Sequence, residues 1–238
     1  MLHSFSECMM LLSYLVSDLV EISSHANSNS SFLCLSPIAK SAMSLAERFD
    51  LSHQQAELRL NFYMGAGSLE HFHSCAEGLR GGFRSGLSSG NANMAFYCAA
   101  LAAHFSFTSG EKDLTSLMME IDYYLHLLET YKSDMAKNFL LCIRETVSIL
   151  IDKGEATSIE AKASYGDLND PGNMLLETYN FHQMLRNFWQ GYSQRAQFYV
   201  EKYVSMKRPT RNCDKCIMKF YHGKFACESV LFSSVVTM

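Results

Sequence analysis

Apolar residues recur at steps of three and four after Asp113: Leu114, Leu117, Met118, Ile121, Leu125 and Leu128. That spacing gathers them on one face of a helix, which something must cover. A second stripe follows Ser133, a residue able to cap a helix. It comprises Ala136, Phe139, Leu140, Ile143, Val147, Leu150 and Ile151 and stops at Lys153-Gly154. Two such helices joined by a few residues predict an antiparallel hairpin. Upstream, the stretch from about Leu69 to Leu87 predicts a helix, Ser88-Ser89-Gly90-Asn91 a turn, and Ala92 to Phe107 its partner. The partner carries Ala92, Ala95, Ala99, Ala100, Ala102 and Ala103, which let helix axes approach, with Phe96 and Phe105 filling the space that alanines leave.

Downstream, Asp170-Pro171-Gly172 marks a turn, and Leu175, Leu176, Tyr179, Leu185 and Phe188 lead to the sole tryptophan, Trp189, with Gly191 as the breaker. Ala196, Tyr199, Val200, Tyr203 and Val204 form a further stripe that stops near Arg208-Pro209, and a last apolar segment starts at Cys216. Toward the N-terminus, helices are expected at about Phe5 to His25 and Ser36 to Phe49, with Pro37 in a first turn and the Ser/Asn run from Ser23 to Ser31 as the loop between them. Segments that join period-2 alternation to β-branched enrichment are nearly absent apart from Val230 to Val236, so a sheet lacks material. The expected fold is all-α: stacked antiparallel helical hairpins at 35 to 45 residue intervals, forming a tetratricopeptide-like α-solenoid. The whole of 1–238 is expected to be a single helical-repeat domain, with 1–50 adding N-terminal helices.

Composition narrows the class. A net charge of -4 exerts no overall pull toward nucleic acid or anionic membrane, and 3 prolines in 238 residues leave room for long helices. Eight irregularly spaced cysteines do not make a disulfide framework, which points to a reducing, cytoplasmic setting. The apolar run from Cys8 to Val16 is too short to span a bilayer and lacks the basic flank of a signal peptide. The last residues, Val235-Val236-Thr237-Met238, offer no polar capping helix, so a piece of a longer protein and self-association of the isolated chain are both expected.

The run Gly86-Leu87-Ser88-Ser89-Gly90-Asn91-Ala92-Asn93-Met94-Ala95-Phe96-Tyr97, followed by Ser109-Gly110-Glu111-Lys112-Asp113-Leu114, resembles a hairpin of a known family. That family is the tetratricopeptide-like helical region of large multidomain signalling ATPases, in which AAA/STAND-type predicted ATPases are linked to kinase or cyclase modules. Phe220-Tyr221, continuing through Phe225, Ala226 and Leu231, resembles a helix start further along that region, and the likeness spans about residues 65 to 232. It implies a helical-repeat fold. It supplies no catalytic residue, because the ATPase and kinase parts have no counterpart in this chain.

Candidate chemistry is sparse. No G-x-x-x-x-G-K-[ST] string exists to cradle phosphates. Gly86-Leu87-Ser88-Ser89-Gly90 matches the G-x-S-x-G pattern of hydrolases, but its setting between two helices makes it an interhelical turn. His71 and His73 stand beside Glu70 and Glu77, yet residues two apart on a helix point in different directions, so packing or surface histidines are expected.

The sharper candidate is a metal set of Cys213, Cys216, His222 and Cys227, which resembles a zinc knuckle, with Gly223 after the histidine rather than before it. Lys202, Lys207, Arg208, Arg211, Lys215, Lys219 and Lys224 surround it and Phe220, Tyr221 and Phe225 interleave it, the composition of a zinc-stabilised nucleic-acid-binding module. A solvated basic helix face with its cysteines and aromatics turned inward explains the same letters, so neither zinc nor nucleic acid is the expected partner. The sequence as a whole leads to a non-catalytic scaffold in a signalling assembly that uses no cofactor and mediates protein-protein interaction.

Overall fold

The computed structural model describes residues 29–49, 51–66, 70–110, 112–152, 174–206, 214 and 217–223. Among them every regular element is helical: α1 Asn29–Arg48, α2 Ser52–Ala66, α3 Phe72–Ser88, α4 Ala92–Ser109, α5 Leu114–Tyr131, α6 Asp134–Asp152, α7 Met174–Trp189 and α8 Ser193–Val204, with a further turn of helix at 217–223. The described residues up to Leu140 belong to one compact unit and those from Leu141 to a second, the division falling inside α6. No described helix is long and apolar enough to cross a membrane.

In the first unit α4 is central. Residues 95, 96 and 98 to 106 are all buried along it. Helix α3 lies along α4, and the link between them shows why. Ser89 and Gly90 close the turn, Gly90 takes a left-handed φ of 79°, and the Asn91 side chain accepts from Met94 N–H to cap α4. The serines of the G-x-S-x-G string are spent on this turn: the Ser88 hydroxyl donates to the Ser85 carbonyl at 3.0 Å and the Ser89 hydroxyl to the Gly86 carbonyl at 3.2 Å.

Close approach is set by glycine on α3 and small residues on α4. A Cβ on Gly82 would stand 2.8 Å from the Cys98 sulfur, and one on Gly86 would stand 2.8 Å from the Ala95 Cβ and 3.0 Å from its backbone. On the α2 side, the Tyr63 ring lies where a Gly78 Cβ would go. Two effects oppose each other in Gly86→Ala. Helix propensity gains about 1 kcal/mol, whereas overpacking against a backbone that cannot yield costs roughly 1–3 kcal/mol. The expected outcome is a net loss of up to about 2 kcal/mol, read as a lower urea midpoint; a raised midpoint would mean that α3 and α4 separate easily.

Two elements differ from expectation. Helix α1 begins at Asn29, inside the expected Ser/Asn loop, and Pro37 lies within the helix rather than in its first turn. Pro37 is exposed, so the ring points to water, although the missing N–H still weakens the helix there. Helix α2 has no one-sided stripe. It packs on α1, α3 and α4, and buries Gln54, Ala56, Leu58, Leu60 and Phe62 among Gln55, Glu57, Arg59 and Asn61. Buried and half-buried positions that alternate in this way lack the three-and-four step that marks an amphipathic helix. The expected helix at 5–25 and the apolar segment beyond 223 lie outside the described residues.

In the second unit α7 and α8 pack as a hairpin around Gln190–Gly191, where Gly191 has φ 82° and Tyr192 N–H donates to the Asn187 carbonyl at 2.8 Å. Helix α7 buries Leu175, Leu176, Phe181, Met184 and Leu185 together with Glu177, Thr178, Asn180, His182, Arg186 and Asn187. Burial of so many polar groups requires partners. Arg186 takes Glu145 of α6 at 2.7 Å, Asn187 donates to the Gln183 carbonyl at 2.7 Å, and Asn180 donates to the Met206 sulfur.

Candidate functional site

Arg80 lies on the side of α3 that also carries Ala76, Leu79 and Phe83, and only 8% of it is exposed. A guanidinium there must be met by oxygen. Glu120 of α5 takes it in a fork, Nε to Oε1 at 2.7 Å and Nη2 to Oε2 at 3.1 Å. Glu77 accepts from Nη1 at 2.5 Å and the Ser106 hydroxyl of α4 accepts from Nη2 at 2.6 Å. Lys112 adds a second cation to Glu120 at 2.8 Å, and the Tyr124 hydroxyl donates to it at 2.9 Å. One guanidinium thereby ties α3, α4 and α5 together.

The protonation states follow from these contacts. Burial alone would raise the Glu120 pKa, but the Arg80 and Lys112 bonds outweigh it and bring it down to about 2. Burial would lower the Arg80 pKa, and its bonds to Glu120 and Glu77 reverse that. Desolvation, then the Glu120 charge, pushes the Tyr124 phenol up. Glu120 is therefore a fixed anion with its lone pairs occupied, unsuited to general acid or base work near neutrality. The network is a clamp.

What the clamp holds is the outer face of α5. Met119 and Tyr123 flank the inward Glu120 and Tyr124 in sequence, and they share a face four residues apart. Met119 is 69% and Tyr123 55% exposed, and the Tyr123 ring leans on Tyr124 at 5.6 Å between centroids. Beyond them on α5, His126 and Glu129 form an exposed pair at 3.5 Å. An adaptable thioether and an amphipathic ring thus stand together on a helix fixed from behind.

The residues singled out by sequence are scattered. His71 precedes α3 and His73 lies in its first turn, both exposed, and their acidic neighbours are engaged elsewhere, Glu70 with Lys40 and Glu77 with Arg80. Of the metal set, His222 is exposed in the 217–223 turn, while Cys213, Cys216 and Cys227 lie outside the described residues, as do Lys207, Arg208, Arg211, Lys215, Lys224 and Phe225. Lys202, Lys219 and Phe220 are exposed and Tyr221 is half-buried. Ser133, expected as a cap, turns its hydroxyl to Asn93 Oδ1 at 3.0 Å. Sequence reasoning missed Arg80 and Glu120. The available signal was an arginine embedded in an apolar helix face.

No family model, no curated protein and no solved structure matches the chain. Its chemistry has to be derived from its own residues.

Proposed function

We propose that the chain is a non-catalytic helical-repeat scaffold that binds a protein partner in a signalling assembly through the outer face of α5. The observation that carries this is the pairing of exposed Met119 and Tyr123 with a buried clamp that leaves Glu120 no proton to move. Supporting it, α2, α3, α4 and α5 each pack on the preceding helix and α4 also touches α2, the short-range pattern that stacked hairpins of a solenoid use. The resemblance to the helical region of signalling ATPases points the same way.

A photoreactive amino acid at position 119 should capture one defined protein from cells, and Met119→Asp with Tyr123→Asp should abolish that complex. Both side chains lie outside the core, so stability should stay within about 0.5 kcal/mol of the parent. Capture of proteins merely in proportion to their abundance, insensitive to the two aspartates, would sink the reading.

A further inference from the structure

Where α7 turns toward α8, the second unit gathers aromatic rings at its surface. Trp189 meets Phe188 at 5.7 Å between centroids, Phe188 meets Tyr221 at 4.7 Å, and Tyr221 meets Phe220 at 5.5 Å. The two outer rings stand in solvent, Trp189 63% and Phe220 68% exposed. All three contacts are edge-to-face, with interplanar angles of 77°, 61° and 79°, and the exposure of Trp189 and Phe220 leaves area on these two rings for a planar guest.

Along the sequence, the charged residues that flank these rings are mainly basic. Arg195 lies 5.3 Å over the exposed Tyr192 ring, Lys219 is exposed beside Phe220, and neither 187–200 nor 217–223 contains a carboxylate. From 195 to 224 the sequence has eight Lys/Arg against Glu201 and Asp214, in a chain whose net charge is -4, and Asp214 is buried. Within 195–224 the sequence is basic, and outside it the sequence is acidic.

We propose that this end binds single-stranded nucleic acid, with bases stacked on Trp189 and Phe220 and phosphates met by Arg195 and Lys219. An acidic peptide would use the cations and leave the rings wet, and a duplex hides its base faces in its own stack. A single strand uses both features. The site requires no zinc, and it does not depend on the partner proposed for α5.

Trp189 is the only tryptophan of the chain, so its emission reports this site alone. The full chain should bind a labelled oligothymidylate of about 15 nucleotides in about 50 mM salt and lose Trp189 fluorescence as it does so. Trp189→Ala and Phe220→Ala, both at exposed positions, should each weaken binding roughly 5- to 150-fold with the circular dichroism unchanged. Lys219→Gln should flatten the log–log salt dependence by about 0.7. Absence of binding, affinity unaffected by the two ring truncations, or equal or tighter binding of a duplex, of polyglutamate or of anionic phospholipid vesicles would overturn the proposal.

Discussion

Glu120→Gln should destabilise the first unit by about 3–5 kcal/mol at neutral pH, because it keeps the shape of the side chain while leaving the buried Arg80 guanidinium without its main counter-charge. Glu77 remains, but it lies on the same helix and is mostly exposed, so it gives little compensation. Urea unfolding followed by far-UV circular dichroism measures the loss, and hydrogen exchange should place it in α3, α4 and α5. The same substitution carries a pH signature. The folded-state pKa of Glu120 lies near 2 against an ordinary 4.5, so its stabilisation is complete above about pH 4.5 and is lost as pH falls toward 2. The parent should lose on the order of 3 kcal/mol across that window. Glu120→Gln should lose much less there, and a parallel acid response of the two proteins would show that Glu120 is not the group responsible.

Phe96→Ala should cost a further 3–5 kcal/mol by a different route, about the range for emptying a fully buried aromatic site. Phe96 lies on α4, where Phe83 of α3 meets it at 5.7 Å and Tyr131 of α5 at 5.5 Å. Its neighbours along α4 are mostly alanines, whose short side chains cannot swing in to fill the space. The loss should appear as a lower urea midpoint in the first unit. A cost below about 1 kcal/mol would mean that α3 and α5 collapse onto the gap.

The helices most legible in the sequence were those with one wet side. The α5 and α6 stripes and the Gly90 and Gly191 breaks are all found where the residues put them. Helix α2 was not legible, because its buried Gln54, Ala56, Leu58, Leu60 and Phe62 alternate with half-buried polar residues instead of following steps of three and four. Pro37 misplaced the start of α1 for a related reason: the usual exclusion of proline from helix interiors is a free-energy preference, and the flanking turns can override it. The clamp was hidden by distance along the chain, since Arg80 and Glu120 are 40 residues apart and meet only once α3 and α5 both lie on α4. The Met119 and Tyr123 face could be recognised only when the opposite side of α5 had been shown to be the buried one.

Cys98 gives the α2–α3–α4 junction a built-in stopwatch. Its thiol donates to the Ala56 carbonyl at 3.3 Å, faces Gly82, and is pushed by burial up to about 12, so almost no thiolate exists at pH 8 while the helices are closed. A small alkylating reagent can then react only during the intervals when α2 or α3 lifts away. The rate of that reaction at Cys98, followed by peptide mass spectrometry and set against the rate for the unfolded chain, counts how often the junction opens without any engineered label.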